Sequence, residues 1–345
     1  MKERERILIF NVNWLGDVLF STAAIRNIRM NYPRSYIACI IPPRCLPVLE
    51  GNPALDEIIV FDEKQKHKSI LAKIGFIAYL RRKKFDIAFL LHRSFSRALI
   101  CRLAGIPRRA GYYTPKRGFL LTDAFVPPPV ESVHRIDYYL EVIKQSGLEI
   151  RDRHTEFFAG PDDIAAVDNF LVNNSLKNAG FLAGINPGGN WVPKRWPADN
   201  FAVLADKLAD EFKAKIIITG SAQDAGLAEE IRRKMSHEAV IACGKLTIKQ
   251  FAVLTRSLNV FISADSGPLH IANASGAKKI IAIFGPTDPR LTGPYPADNA
   301  VIVRKDSGCR IPCYRADCPD NRCMKMVTPG DVFAAVVNVL KTGTG

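Results

Sequence analysis

The sequence predicts an α/β protein built from two doubly wound domains, in which parallel sheets are covered by helices. Three observations lead to this prediction. Short apolar runs alternate with amphipathic stretches along the chain, as in sheets whose strands are buried on both faces. The 345 residues exceed one typical hydrophobic core. The apolar runs also fall into two series, one on each side of residue 160.

The first domain is predicted to span residues 1–160. Its opening apolar run predicts a strand at 7–10, followed by a loop at 11–16 and a helix at 18–30. The proline-rich segment around 127–129 is predicted to be irregular. Further apolar runs predict strands at 37–41, 57–61 and 86–91.

The second domain is predicted to span residues 161–345. A helix at 161–174 is expected to bridge the halves, and a terminal helix at 332–340 is a candidate to pack back toward the N-terminal domain. Because ligands of doubly wound sheets bind beyond the carboxyl ends of the strands, we predict the active site in a cleft between the domains. The strands are predicted at 182–186, 215–219, 239–243, 258–262 and 279–284.

Composition limits the class of protein. With 48% hydrophobic residues and a mean hydropathy of +0.01, the chain is globular rather than disordered. The N-terminal residues run directly into the first strand without a secretory signal pattern, and no run of about eighteen apolar residues predicts a spanning helix. We therefore expect a cytoplasmic protein whose membrane contact, if any, is peripheral.

The net charge of +14 is concentrated in the first half. There, Lys64, Lys66, Lys68, Lys73 and the basic run 81–84 flank the apolar segment 70–80. This pattern suits a helix on an anionic membrane surface, although a solvated basic face and a nucleic-acid site are alternatives. Because no zinc-finger spacing, aromatic RNA-binding motif or basic zipper is found, no nucleic-acid partner is expected.

The segment SADSGPLHIA, residues 263–272, follows an apolar strand and opens a helix. A helix start leaves backbone N–H groups pointing outward, which is a geometry that binds phosphate. Asp265, Ser266 and Gly267 form this start, and His270 lies one turn further on. The alternative is an ordinary capped helix, since Asp and Ser are good N-caps and Pro suits the first turn.

A carboxylate stands at the mouth of the first helix. In NWLGD, Asp17 follows Gly16, which allows the backbone to approach a ligand closely. An ionised Asp in contact with an acceptor hydroxyl can act as a general base. The alternative is a charge that only stabilises the start of a helix.

Three loops of the second domain offer further ligand groups. Gly188 and Gly189 permit close backbone approach, and Lys194 supplies a cation for an oxyanion; the alternative is a mobile surface loop. Asp224 suits either sugar hydroxyls or a helix cap. Lys245 and Leu246 belong to a loop that presents backbone groups to a base edge, unless Thr247 there is only an N-cap.

Taken together, these motifs resemble the bacterial lipopolysaccharide heptosyltransferases of glycosyltransferase family 9, over nearly the whole chain. The second heptosyltransferase type, which extends an existing heptose, is the more similar. The motifs that carry the resemblance are NWLGDVLFSTAAIRNIR, HRSFSRALICRLAGIPRRAGY, INPGGNWVPKRWP, TGSAQD, ACGKLT and SADSGPLHIANASG with FGPTDP.

The resemblance implies a GT-B fold, with an N-terminal acceptor domain and a C-terminal nucleotide-sugar domain facing across a cleft. It implies inverting, metal-independent transfer of L-glycero-D-manno-heptose from ADP-heptose to the lipid A-core acceptor at the inner membrane, without a cofactor. Asp17 matches the catalytic base and Lys194 the cation near the donor phosphates. On the acceptor side, the resemblance places the segment 92–97, with Arg93 and Ser94 as its candidate contacts. The donor side takes Gly188, Gly189, Asp224, Lys245, Leu246, Asp265, Ser266, Gly267 and His270.

Four of the eight cysteines cluster near the C-terminus. Their spacing is C-x₃-C-x₄-C-x₄-C, and four thiols in one loop can hold zinc, although this spacing is looser than that of paired C-x₂-C knuckles. A zinc site is therefore a minor hypothesis beside four reduced thiols. The residues concerned are Cys309, Cys313, Cys318 and Cys323.

Two other functions remain open from the sequence. One is a family-9 transferase that uses another nucleotide sugar, because the motifs suit a diphosphate and hydroxyls better than they identify a sugar. The other is a non-catalytic nucleotide- or lipid-binding protein on the same scaffold, which the presence of both Asp17 and Lys194 disfavours.

Overall fold

The structure, a computed structural model, describes residues 4–189, 191–295 and 297–341, so Asn190 of the predicted glycine loop lies outside the described residues. The chain forms two compact units, the first ending at Phe158 and the second beginning at Ala159. Each unit contains one six-stranded sheet in which all neighbouring strands are parallel. Parallel strands need helical crossovers, which accounts for the helices that alternate with them.

The first sheet has the strand order β3-β2-β1-β4-β5-β6, which is that of a doubly wound fold. Its central strand β1 is buried over its last four residues because helices cover both faces of the sheet. The strands are β1 (Arg6–Phe10), β2 (Tyr36–Ile41), β3 (Glu57–Val60), β4 (Ile87–Leu90), β5 (Arg108–Tyr112) and β6 (Asp123–Phe125).

Five α-helices accompany this sheet. The first packs along the fifth, so the residues after β1 lie beside a helix more than a hundred residues later in the chain. The third is capped at its start by the Ser69 hydroxyl, which accepts a hydrogen bond from the Ala72 N–H. The helices are α1 (Leu15–Asn31), α2 (Leu46–Leu49), α3 (Ile70–Arg82), α4 (Phe95–Leu103) and α5 (Arg135–Gln145).

The second sheet repeats the connectivity of the first, with the order β12-β11-β10-β7-β8-β9. Strands β7 and β10 are adjacent although they are distant in sequence, so the loops after them meet at one edge. This is the place where doubly wound sheets bind ligands. The strands are β7 (Leu182–Asn186), β8 (Lys215–Ile218), β9 (Ala239–Ile241), β10 (Val260–Ala264), β11 (Ile280–Ile283) and β12 (Ala300–Val303).

Eight α-helices belong to the second unit. The terminal one packs against the helix after β7 and against β11 and β12, within its own unit. Trp196 is fully buried, and its indole N–H donates to the Val327 carbonyl oxygen at 2.8 Å, which fixes the loop after β7 to the C-terminal segment. The helices are α6 (Pro161–Asn173), α7 (Ala198–Phe212), α8 (Ala225–Lys234), α9 (Ile248–Ser257), α10 (Gly267–Ser275), α11 (Pro289–Thr292), α12 (Arg322–Lys325) and α13 (Pro329–Lys341).

The predicted strands and helices are confirmed to within about three residues at each end, and the proline-rich segment 127–129 is irregular as predicted. Three strands were not predicted, namely β5, β6 and β12. Strand β5 begins with Arg108 and Arg109, and charged residues of this kind are not typical of a buried strand. The structure accommodates Arg108 through an ion pair with Asp123 on the neighbouring strand β6, at 2.6 Å.

Candidate functional site

In the first unit, Asp17 lies in the first turn of α1, immediately beyond the carboxyl end of β1. Its Oδ1 accepts a hydrogen bond from the Tyr139 hydroxyl of α5 at 2.9 Å. Burial and the neighbouring carboxylate raise the pKa of Tyr139 well above its usual value, so this hydroxyl stays protonated and remains a donor. Asp17 is thus held in one orientation at a half-buried position, where its second oxygen has no hydrogen bond within the described residues.

Tyr139→Phe tests whether this hydrogen bond matters for turnover. Because a hydrogen bond to a charged group typically contributes about 1.5–3 kcal/mol, losing the donor should lower kcat by roughly tenfold through misorientation of Asp17. Steady-state rates at varied concentrations of the expected nucleotide-sugar donor and acceptor give kcat and KM for the variant and the wild type. KM should change little, and an unchanged kcat would show that Asp17 is oriented by other contacts.

The loop that leads into α1 is tied to α4 by buried Arg97, which the sequence had placed only at the end of the predicted acceptor segment 92–97. Arg97 is 3% exposed and donates to the Asn11 carbonyl oxygen at 2.8 Å and to the Asn13 Oδ1 at 2.5 Å. It also forms an ion pair with Glu63 at 3.2 Å. Arg97 therefore fixes the path of the chain between β1 and α1. Only the polar loop residues after β1, which need partners when buried, signal it in the sequence.

The predicted acceptor residues lie at the start of α4. Arg93 is exposed, and Ser94 precedes the helix with its hydroxyl 2.8 Å from that of Ser96. The Ser94 N–H donates to Nδ1 of His92 at 3.0 Å. Beneath them, fully buried Arg117 donates to the His92 carbonyl oxygen. The loop before α4 is therefore held in place by the hydrogen bond from buried Arg117, while the Arg93 side chain is exposed to solvent.

His92 gives this loop a pH dependence. Burial lowers the pKa of His92 from 6.5 to about 4, assisted by the positive charges of Arg97 and Arg117. The unfolded chain therefore binds a proton at a higher pH than the folded chain does. The neutral imidazole's contribution to stability is present above pH 6.5 and is lost as the pH falls toward about 4.

His92→Asn retains an acceptor for the Ser94 N–H but cannot titrate. We expect the free energy of unfolding of the wild type to fall more steeply between pH 6.5 and about 4 than that of this variant. Denaturant titrations at several pH values measure the difference. Parallel pH profiles of the two proteins would contradict the assignment.

In the second unit, the side chains after β7 and β10 meet at Asp265. Asp265 is 3% exposed. Its Oδ2 lies 2.6 Å from the Lys194 ammonium and accepts a hydrogen bond from the Thr287 hydroxyl at 2.7 Å. Its Oδ1 lies 3.3 Å from Nε2 of His270. Burial alone would raise the pKa of Asp265, but the hydrogen bond from His270 and the charge of Lys194 outweigh it and hold the pKa well below its usual range. Asp265 is therefore a fixed anion.

Lys194 ends a short 3₁₀ turn, Val192–Lys194, and keeps 24% of its side chain exposed. Its nitrogen lies 5.6 Å from the centre of the Trp191 ring, over the face of which the cation rests. An ammonium has three N–H donors, and Asp265 takes one of them. Lys194 thus presents a held positive charge, and its two other N–H donors have no hydrogen-bond acceptor among the described residues, which leave out the nearby Asn190.

The start of α10 is open, as the phosphate interpretation requires. Ser266 is the N-cap residue, yet its side chain accepts no hydrogen bond from the helix, and Asp265 is engaged with Lys194 instead. The alternative of an ordinary side-chain-capped helix is therefore not supported. A Cβ placed on Gly189 would come within 3.9 Å of Ser266 Cβ, so the glycine loop lies next to this helix start. The N–H groups there can face an anion.

Asp224 has a structural role as a cap of the turn that begins at Ser221. Its Oδ2 accepts from the Ser221 N–H at 2.9 Å and from the Ser221 hydroxyl at 2.7 Å, as a cap does. A Cβ on Gly188 would lie 2.5 Å from Asp224 Oδ1, so any side chain there would force the Asp224 carboxylate to move. The residues Gly188, Gly189, Lys194, Asp224 and Ser266 therefore gather around one edge of the second sheet.

The loop after β9 contributes less. Lys245 is exposed, and Leu246 packs against the core below. Thr247 caps α9 by accepting from the Gln250 N–H at 3.2 Å, so the capping interpretation of this residue is confirmed.

The four clustered cysteines line one cavity of about 330 Å³, with Pro193 and Pro286 on its wall. Within the three described stretches of chain, however, no group of three His, Cys, Asp or Glu side chains is placed to share a metal ion. The structure therefore does not support zinc at Cys309, Cys313, Cys318 and Cys323.

Comparison with known proteins places these features in context. The family model described as glycosyltransferase family 9 (heptosyltransferase) matches residues 75–323. The chain is 27% identical to lipopolysaccharide heptosyltransferase 2 of Escherichia coli K12, covering 88% of this chain and 89% of that one. It is 26% identical to lipooligosaccharide heptosyltransferase 2 of Campylobacter jejuni serotype O:2, covering 97% and 98%.

Solved structures share the architecture. The glycosyl transferase family 9 protein of Veillonella parvula superposes with a TM-score of 0.87 at 25% identity, covering 99% of both chains. The E. coli ADP-heptose LPS heptosyltransferase II gives 0.80 at 25% identity, covering 99% of this chain and all of that one. The GT-B fold class expected from the sequence is confirmed by these superpositions. Among the described helices, none is long and apolar enough to cross a membrane.

Proposed function

The chain belongs to glycosyltransferase family 9, and from this premise we propose that it transfers L-glycero-D-manno-heptose from ADP-heptose to a lipopolysaccharide inner core, with inversion at the anomeric carbon. One observation carries the proposal: a buried carboxylate, Asp265, holds the Lys194 ammonium beside an uncapped helix start. This combination of a fixed cation and free backbone N–H groups suits a diphosphate.

The second unit would bind the donor. As the bond between the anomeric carbon and the diphosphate breaks, negative charge grows on the leaving oxygen. Lys194 and the N–H groups after Ser266 stabilise that charge from fixed positions. The carboxylate of Asp265 is buried and would repel phosphate, so its role is to orient Lys194 and His270 rather than to contact the donor.

The first unit would supply the base. Asp17, held by Tyr139, removes the proton from the attacking hydroxyl of the acceptor, and that oxygen attacks the anomeric carbon on the face opposite the diphosphate. One displacement of this kind inverts the configuration. Arg93, exposed at the start of α4, is available for acidic sugars or phosphates of the acceptor.

The positive charge that the diphosphate requires comes from the chain itself, so we propose that no divalent metal takes part. A lipid-linked acceptor also implies that the enzyme works in the cytoplasm at the inner membrane surface, with which it would associate peripherally.

A transfer assay with a panel of nucleotide sugars tests the proposal. Purified protein, ADP-heptose and an inner-core acceptor should release ADP and extend the acceptor, and an excess of chelator should leave the rate unchanged. Turnover with a different nucleotide sugar alone would favour another family-9 specificity. Binding of ADP-heptose without hydrolysis or transfer would favour the non-catalytic alternative.

A further inference from the structure

The first turn of α3 exposes three large apolar side chains on one face. Ile70, Leu71 and Ile74 are 76%, 80% and 56% exposed, and their spacing places them together on the helix surface. The other face of the helix buries Phe76 and Leu80 in the core of the first unit. The helix is therefore anchored, and it still presents an apolar surface outward.

Positive charge surrounds this surface. Residues 64–84 contain eight Lys and Arg and no Asp or Glu. In the part of the chain that the structure describes, the ammonium groups of Lys64, Lys66, Lys68 and Lys73 take part in no ion pair. Lys83, at the far end of the helix, differs because it pairs with Glu57 at 2.6 Å. The lysines nearest the apolar turn thus keep their charge available to a partner.

We propose that this surface, made of Ile70, Leu71 and Ile74 with the four unpaired lysines and called the α3 patch below, docks the protein on an anionic lipid bilayer. The inference rests on the proposed function, because a lipid-linked acceptor requires the enzyme to work at a membrane. It adds which surface meets the lipid and by what chemistry.

A lipid bilayer fits both the apolar side chains and the lysines of the α3 patch. Apolar side chains of a surface helix insert at the boundary between headgroups and acyl chains, while lysines keep their charged ends among anionic headgroups. Each lysine near such a surface strengthens binding by about fivefold at low ionic strength. Nucleic acid offers negative charge but no apolar layer for Leu71. A second copy of this chain would bring one set of lysines against another.

The experiment is flotation of the full-length protein with vesicles of phosphatidylethanolamine containing about one-third phosphatidylglycerol, and with phosphatidylcholine vesicles as the neutral case. Wild type should float with the anionic vesicles at low salt and not with the neutral ones. The variant Leu71→Glu/Ile74→Glu should lower the ratio of bound to free protein about tenfold or more. Both positions are exposed, so its thermal unfolding should match that of the wild type.

Val172→Glu is the matched control, since Val172 is a 57% exposed apolar residue on a helix of the second unit. It should float like the wild type. A second variant, in which Lys64, Lys66, Lys68 and Lys73 are changed to Gln, should bind weakly and lose most of its salt dependence. Flotation of the Leu71→Glu/Ile74→Glu variant equal to wild type would overturn the proposal. So would a dimer in sedimentation that this variant abolishes.

Activity separates this inference from the proposed function. With a deacylated, water-soluble acceptor, the Leu71→Glu/Ile74→Glu variant should transfer heptose as fast as the wild type, and with the acceptor embedded in vesicles it should be slower. If wild type floats through the α3 patch but transfers no heptose, the proposed function fails while the docking surface stands. Normal transfer to the embedded acceptor by the variant would count against the α3 patch alone.

Discussion

Asp17→Asn should lower kcat for heptose transfer by about 10²-fold to 10⁴-fold, which is the range expected when a general base is lost. The amide has the size of the carboxylate and still accepts the hydrogen bond from Tyr139, so the local structure should persist. It cannot take a proton from the acceptor hydroxyl. Binding of ADP-heptose should change little, because the donor groups lie in the second unit. Initial rates of ADP release, together with direct titration of the donor, measure both quantities.

The alternative role of Asp17 is a charge that stabilises the start of α1, and Asp137 provides the matched control. Asp137 lies in the first turn of α5, in the same unit. Both Asp17→Asn and Asp137→Asn should cost up to about 1 kcal/mol of stability through the helix dipole. Only the first should reduce turnover. If the two variants lose the same stability and both keep wild-type kcat, Asp17 is a structural charge and the base lies elsewhere.

Lys194→Gln should lower kcat by about 10²-fold to 10³-fold, the scale observed when one fixed donor to a developing oxyanion is removed. Donor affinity should also fall, because in the proposed mechanism the ammonium faces the diphosphate before and during bond breaking. Lys194→Arg keeps the charge with a different geometry and should lose less. Lys207→Gln, on the exposed side of α7, removes a positive charge that is no part of this ion pair and should leave kcat unchanged.

Stability must be separated from catalysis in this test. Removing Lys194 leaves the buried Asp265 with His270, Thr287 and Thr292 as partners. A buried charge that loses its counterion costs about 3–5 kcal/mol of stability. The double variant Lys194→Gln/Asp265→Asn removes both charges and should recover much of that loss without recovering turnover. Recovery of turnover in the double variant would show that Lys194 serves only to neutralise Asp265.

Several residues of the candidate site could be predicted from their positions along the chain. Asp17, Lys194 and Ser266 were selected because each follows an apolar strand, and loops at the carboxyl ends of parallel strands meet at one edge of a sheet. Within each unit the structure places these loops as that rule requires. Tyr139 was not selected, and Arg97 was expected only within the acceptor segment, because nothing in a helix sequence indicates which side chain contacts a residue more than eighty positions away.

The C-terminal cysteines and the strand β5 show what sequence spacing leaves open. Four cysteines at short intervals allowed a zinc hypothesis beside reduced thiols, and within the described residues no three His, Cys, Asp or Glu side chains are placed to share a metal ion. Strand β5 was missed because its two arginines interrupt the apolar pattern expected of a buried strand. The free-energy cost of partly burying these charges is offset by ion-pair partners such as Asp123, which lies on the neighbouring strand.

The sequence by itself determined the two doubly wound units, nine of their twelve described strands, and the loops that carry polar groups. These follow from local periodicity and from turn-forming residues, which act over a few positions. The tertiary structure alone decided that Asp265 is buried as the partner of Lys194, 71 residues away, and that Tyr139 holds Asp17 from 122 residues away. Such pairs form because distant strands and helices pack together, and packing depends on the whole chain.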